Sequence, residues 1–204
     1  MARAVDQSLQ ILRRIIPSRV SSIDYVRYRN DLTDAIPESV AEVTRVTEAH
    51  IARLRLHPTY GSNPRVSGFR LWDHGLRTAL IWEDGGEPLC IQWLFTSSDS
   101  DLLRTYPEWS GLYPPLATDT AQVENLFSFA FARPGGAATE FMFGVFRLVR
   151  TMGIRTVFTH ILTSNWSAHR WAERTGWQRH GTIRRWSVDL PVIRRFPLCV
   201  HEAG

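Results

Sequence analysis

The residues best suited to chemistry in this 204-residue chain lie between Val123 and Gly181. An extended apolar run, Val123–Phe131, leads into Arg133-Pro134-Gly135-Gly136-Ala137-Ala138, and a helical pattern, Thr139–Met152, follows at once. A glycine-rich turn that opens a helix directly after a strand presents backbone N–H groups with no intrahelical acceptor, at the positive end of the helix dipole. That arrangement suits a phosphate or pyrophosphate. Successive glycines let the backbone approach such a ligand closely, because no side chain intervenes. The turn is neither a P-loop, which needs a lysine, nor a G-x-G-x-x-G loop, since only Gly135 and Gly136 are present.

Composition removes other chemistries. All 24 basic residues are arginine, so Schiff-base chemistry on lysine and a Walker lysine are excluded. The net charge of +4 and pI near 9.6 suit an anionic ligand. The arginines are interleaved with acids and form no long basic block, which argues against a nucleic-acid partner. The seven histidines form no H-E-x-x-H or Cys/His cluster, so no metal site is expected. Cys90 and Cys199 make no C-x-x-C pair and no disulfide framework; a reduced, cytoplasmic setting is expected. The start, Met1 to Asp6, lacks the apolar run of a signal peptide, and no apolar run approaches the roughly 20 residues of a membrane helix, so no membrane partner is expected.

The elements that must position the loop follow from periodicity. Val5, Leu9, Leu12 and Ile16 predict a helix within residues 1–20, ending before Pro17. Ile23–Tyr28 suits a first strand, and Glu38–Leu56 a helix with Pro37 in its first turn. Ser67–Trp72, Leu76–Trp82 and Leu89–Thr96 are expected as strands of an antiparallel meander, separated by Asp73-His74-Gly75 and by Glu83 to Pro88. Residues 97–120 form a long polar-aromatic connection, expected as a lid or binding loop, its alternative being a surface loop without function. Within Val123–Phe131, Val123, Phe127, Phe129 and Phe131 alternate onto one face, and Glu124, Leu126, Ser128 and Ala130 onto the other. Then come a helix, a strand Arg155–Leu162, a short helix Ser167–Thr175 capped by Asn165 or Ser167, and a strand or hairpin Trp177–Leu190. Strands first and a strand–helix–strand unit afterwards mean a mixed α/β (α+β) fold, expected as a single domain over residues 1–204.

Between residues 122 and 181 the chain resembles the GNAT N-acetyltransferase superfamily. That family's acyl-CoA loop has the pattern [QR]-x-x-G-x-[GA], matched here by Arg133-x-x-Gly136-x-Ala138. Its frequent strand glutamate, nine residues earlier, is matched by Glu124. Its N-x-x-A and later Gly-aromatic pair are matched by Asn165-x-x-Ala168 and Gly176-Trp177. Each match alone is weak; their joint order and spacing are specific.

The resemblance implies a mostly antiparallel, twisted sheet flanked by helices and splayed at the acyl-CoA site. It implies acetyl-CoA, or another acyl-CoA, as cosubstrate, with no metal. Its pyrophosphate would sit on Arg133, Gly135, Gly136, Ala137 and Ala138, and the pantetheine arm would pair with the strand end at Phe129, Phe131 and Ala132. Asn165 would lie on the cofactor side or cap its helix. An amine, from a small molecule or a peptide, would attack the thioester directly, with no covalent enzyme intermediate. Glu124 is the first candidate base, its alternative being a structural carboxylate; His160 is the second, its alternative a hydrogen-bonded structural histidine. Many members carry a tyrosine that protonates the leaving thiolate where this chain has Ala172; Ser167, Ser164 or a water is the substitute. Ala172 also favours the alternative of a non-catalytic CoA-binding or interaction module, and the phenylalanines around the loop admit a longer acyl chain. Eight tryptophans permit a homodimer without requiring one.

Overall fold

Gly85 and Gly86, at φ 57° and 85°, form the two-residue turn between the residue pair Asp84 and Glu87. Only residues tolerant of positive φ close such a hairpin with the natural strand twist. The structure, a computed structural model, describes residues 20–32, 35–63, 68–109, 113–132, 136–188 and 196–202. The expected N-terminal helix lies outside these residues, as do Arg133 and Gly135. In chain order the strands are β1 (Val20–Asp31), β2 (Thr44–Arg45), β3 (Ala79–Asp84), β4 (Glu87–Phe95), β5 (Thr120–Ser128), β6 (Thr156–Leu162), β7 (Gln178–Val188) and β8 (Phe196–Glu202). The helices are α1 (Glu48–Arg55), α2 (Phe69–Asp73), α3 (Ser100–Thr105), α4 (Ala137–Thr151) and α5 (Trp166–Arg174). The pairings β1 with β7, β2 with β3, β3 with β4, β4 with β5 and β7 with β8 are antiparallel and that of β5 with β6 is parallel, so the fold is mixed α/β with a mostly antiparallel sheet flanked by helices.

Contacts divide the chain into two compact units. One comprises Asp31–Leu102 and Leu116–Phe158. In it β2 pairs with β3, β3 with β4 and β4 with β5. The parallel ladder of β5 and β6 has three pairs, from Thr120 with Thr156 to Gln122 with Phe158. A parallel pair needs a crossover, and α4 supplies it. Phe141, Val145 and Val149 recur along one face of α4 and are buried, as are Ile81, Ile91, Val123 and Val157 on the strands. The 3.6-residue period of the helix thus meets the sheet as a continuous apolar stripe.

The other unit comprises Met1–Asn30, Leu103–Pro115 and Thr159–Gly204. Here β7 lies between β1 and β8, antiparallel to both. Asp24 stands opposite Arg184 and accepts two hydrogen bonds from its guanidinium, from Nε at 2.8 Å and Nη2 at 3.0 Å. Beyond the end of β6, the Thr163 N–H donates to the Asp24 carbonyl at 3.0 Å. Among the described residues no helix is long and apolar enough to cross a membrane.

Several expected elements differ. Helix is confined to α1 within Glu38–Leu56. Upstream, the Val40 N–H donates to Glu140 Oε2 and the Ala41 N–H to Ser39 Oγ, so side chains take the donors a helix would use. The helix starts where Thr47 and His50 form a reciprocal cap. Ser67–Trp72, expected as a strand, instead contains Gly68 at φ 58° followed by α2, which buries Phe69, Leu71 and Trp72. A short apolar run does not distinguish strand from buried helix. The connection 97–120 is partly helical: Thr96 and Asp99 cap a 3-10 turn, Ser97–Asp99, that leads into α3. The strand expected over Val123–Phe131 ends at Ser128, and Ala130–Ala132 turn as 3-10 helix.

Candidate active site

The site begins with an irregularity in β5. Across the β4–β5 ladder Phe127 opposes Ile91 and Glu124 opposes Trp93, so three steps on β5 match two on β4. The surplus is a β-bulge with Asn125 at φ 55°, the one positive-φ residue other than glycine among those described. Simple alternation put Phe127 and Glu124 on opposite faces. The bulge corrects this: Ile91 and Trp93 share a face of β4, so their partners Phe127 and Glu124 share a face of β5. The sequence signal was Asn125 itself, a residue tolerant of positive φ inside an apolar strand.

Glu124 is buried, at 5% exposure, and its Oε1 accepts a hydrogen bond of 3.0 Å from Nε2 of Gln122, itself 1% exposed. Two positions apart, both side chains lie on the Trp93 face. Phe127 and Phe129 meet edge to face at 5.0 Å and both pack on Tyr60. His57 closes this cluster against Phe129, with ring centroids 4.9 Å apart. Burial pushes the Tyr60 phenol upward, so it stays protonated at any physiological pH. Cys90, opposite Ser128, is also buried; its thiol is pushed up to about 11 despite the Ser128 hydrogen bond.

At the strand end, the Phe129 N–H donates to the Leu89 carbonyl and the Ala132 N–H to the Phe129 carbonyl, both at 3.0 Å. In an antiparallel strand the direction of the N–H alternates. Because Phe129 donates toward β4, the amide of Ser128, one residue before it, faces the other edge of β5. Phe131 projects outward at 60% exposure.

The chain then reaches Gly136, the N-cap of α4, at φ 73° and ψ 16° with no side-chain cap. A Cβ built on Gly136 meets nothing within 4 Å, so its freedom serves backbone conformation and leaves open space before the helix. The Thr139 and Glu140 amides donate to the Gly136 carbonyl, at 2.9 and 3.3 Å. The Ala137 and Ala138 amides precede them in the first turn, where α-helical geometry supplies no acceptor. Glu124, Phe129, Phe131, Ala132, Gly136, Ala137 and Ala138 all belong to this one unit.

Asn165, Ser167, His160 and Ala172 belong to the other unit. Asn165 caps α5: its Oδ1 accepts from the Ala168 N–H at 3.2 Å and from the Ser167 hydroxyl at 2.9 Å. Ala172 is fully buried. One turn earlier on that helix, His169 was missed by sequence reasoning. Its Nε2 is 3.0 Å from the Leu162 carbonyl, which can only accept, so Nε2 carries the proton. Nδ1 then accepts from the Tyr28 hydroxyl at 2.9 Å. The His160 ring stacks on Tyr113 at 4.4 Å; burial, then the nearby Arg27 charge, hold its pKa well below the ordinary histidine value. Among the described residues no group of three or more His, Cys, Asp or Glu is placed to hold a metal ion.

No protein-family model matches the chain, and no curated protein matches it. Solved structures do. A GNAT-family acetyltransferase from Novosphingobium aromaticivorans superposes with a TM-score of 0.56 at 15% identity, over 91% of this chain and 68% of that one. A GNAT-family acetyltransferase from Colwellia psychrerythraea gives 0.53 at 11% identity, over 82% and 57%. The GCN5-related glucosamine N-acetyltransferase region of a fungal multi-domain β-N-acetylglucosaminidase gives 0.57 at 11% identity, over 86% and 22%. The chain thus spans little more than half of the second structure and about a fifth of the third. Likeness at such identity is likeness of fold, and the fold of this chain is that of the GNAT N-acetyltransferases.

Proposed function

We propose that this chain is an acyl-CoA-dependent N-acyltransferase, with acetyl-CoA as its donor and a small-molecule or peptide amine as its acceptor. The observation that carries the reading is the sequence of parts in one unit: a bulged β5 bearing a buried Glu124, then Gly136 in the left-handed conformation, then the first turn of α4. The pyrophosphate would sit before Gly136, on the Ala137 and Ala138 amides and the helix dipole. Arg133 and Gly135 complete that loop in sequence.

The pantetheine arm would lie along the edge of β5 away from β4. The Phe129 and Ala132 amides already have acceptors, so another amide of β5 would meet the thioester oxygen. An N–H aimed at that oxygen stabilises the oxyanion as the amine attacks. Glu124 takes the proton that the ammonium must lose before its nitrogen can bond to the carbonyl carbon. The C–S bond then breaks. Ala172 offers no acid, and the Ser167 hydroxyl is engaged with Asn165, so solvent protonates the thiolate, a modest demand given a thiol's low pKa.

Isothermal calorimetry with acetyl-CoA tests the reading, on the wild type and on Gly136→Glu. The variant places a carboxylate where the pyrophosphate should sit, in space that is open in the free protein. Binding to the wild type and its loss in a folded variant supports the site. No binding of acetyl-CoA or longer acyl-CoA to the wild type overturns it.

A further inference from the structure

The C-terminal end of α1 and the β3–β4 hairpin border a cleft of about 200 Å³, lined by Leu54, Leu56 and His57 on one side and by Gly86, Glu87 and Pro88 on the other. Leu54 and Pro88 are buried and give it an apolar floor. Leu56, at 85% exposure, is the most exposed large apolar side chain among the described residues. A lone exposed leucine is ordinary, but an apolar concavity with a few polar groups is the composition of a ligand site. Those polar groups differ in their engagement. Arg53 also lines the cleft, and its guanidinium is paired with Glu83. Glu87 is exposed and makes no ion pair and no side-chain hydrogen bond among the described residues. With Arg53 and Glu83 offsetting each other, Glu87 leaves the cleft one negative charge. His57 Nδ1 accepts from the Thr59 and Tyr60 amides, at 3.3 and 3.1 Å, so Nε2 carries the hydrogen. Held by those amides on one edge and packed on Phe129, the ring is a fixed wall.

We propose that this cleft is a binding site for a small organic cation, an ammonium group on an apolar body. Leu54, Leu56 and Pro88 take the body, and Glu87 takes the charge. Pockets that enclose drug-sized ligands hold roughly 300–1,000 Å³, so a cleft of this volume suits a single ring or a short branched chain. One carboxylate serves an ammonium, whereas a metal ion needs several ligands, and no such group exists among the described residues. The site stands apart from the proposed acyl transfer. Glu87 begins β4, and Trp93, the residue opposite Glu124, lies six steps further along it. At about 3.3 Å per residue the two carboxylates are roughly 20 Å apart along the sheet. An amine held at Glu87 is therefore not the one that reacts at Glu124, and the inference does not rest on the acyltransferase reading.

The test titrates the full chain, without acyl-CoA, with three probes of one shape: 2-phenylethylamine, 2-phenylethanol and phenylacetate. The NMR signals of the His57 ring and the Gly86 amide report from opposite walls of the cleft. Both should shift and saturate with 2-phenylethylamine. The alcohol should bind about three- to fivefold more weakly, the worth of one exposed ion pair, and phenylacetate more weakly still. Glu87→Gln should bring the amine to the affinity of the alcohol and leave the alcohol unchanged. Leu56→Ser should weaken both alike. Both side chains are exposed, so neither variant threatens the fold. Added salt should narrow the gap between amine and alcohol in the wild type. Equal affinity for amine and alcohol, or a Glu87→Gln variant that still prefers the amine, overturns the proposal. So does the absence of shifts at His57 and Gly86 up to the solubility of the probes. None of these outcomes bears on acetyl-CoA binding, which is measured separately.

Discussion

Glu124 and Cys90 are both buried on one sheet, with different partners. Glu124 is enclosed, and the hydrogen bond from Gln122 orients its side chain; in the proposed mechanism it takes the proton of the amine. Replacing it with Gln preserves shape and removes the basic oxygen. We expect Glu124→Gln to lower kcat by about 10²–10⁴-fold, as for loss of a general base, while the acetyl-CoA Kd measured by calorimetry stays within twofold. Equal turnover in the variant would reduce Glu124 to a structural carboxylate. Cys90 is enclosed without a cation, and burial pushes its thiol up to about 11. The thiolate is the reactive form, so native protein at pH 8 should leave Cys90 unmodified by iodoacetamide over a period in which denatured protein reacts fully. Peptide mass spectrometry reads this directly, and labelling of Cys90 in the native state would mean the strand opens there.

At the scale of elements, α4 carries both the first turn of the proposed phosphate site and the main apolar stripe, so its packing governs that site. Gly144, in its middle, packs close against residues 41–43 of an earlier irregular segment. A Cβ there would lie 2.7 Å from Val43 Cγ2 and 3.0 Å from the Ala41 carbonyl oxygen. Alanine gains about 1 kcal/mol of helix propensity over glycine, but forcing a methyl against backbone typically costs about 1–3 kcal/mol. We expect Gly144→Ala to destabilise by up to about 2 kcal/mol in urea unfolding; a stabilised variant would show that residues 41–43 yield easily. This also explains what was legible in sequence. Helix α4, strand β6, helix α5 with its Asn165 cap, and the Gly85-Gly86 hairpin announce themselves by period, caps and turn residues, all local signals. Residues 38–47 have helical spacing, yet are held extended by Ser39 and Glu140, partners 101 positions apart that no local rule reveals. The bulge at Asn125 was likewise invisible to a period-2 count. It moved Glu124 and Phe127 to one face, and with them the line of the candidate site. The facing of Glu124 and Phe127 was thus not readable from a period-2 count.

At the scale of the whole molecule, pH tests how histidine burial couples to stability. His160 is stacked on Tyr113 and faces Arg27; burial first, and that charge second, hold its pKa well below 6.5 in the folded protein. In the unfolded chain it returns to about 6.5. Above that value both states are neutral at this residue and its contribution is constant. As pH falls below it, the unfolded chain binds a proton that the folded protein refuses, so stability drops until the folded pKa is reached. His50 is also lowered, by burial and then by Arg53, and it borders Glu83 at 3.3 Å, so it contributes to the same slope. A variant separates the two. His160→Phe retains a ring against Tyr113 and cannot titrate. The wild-type Tm should fall between pH 7 and pH 5, and the variant should fall by clearly less over the same interval, whatever its Tm at pH 7. Ionic strength offers a further check: Arg27 is a lesser cause than burial, so added salt should leave most of the wild-type slope in place. Parallel Tm profiles for the two proteins would mean that His160 accepts its proton in the folded state, and that the Tyr113 stack opens to let it.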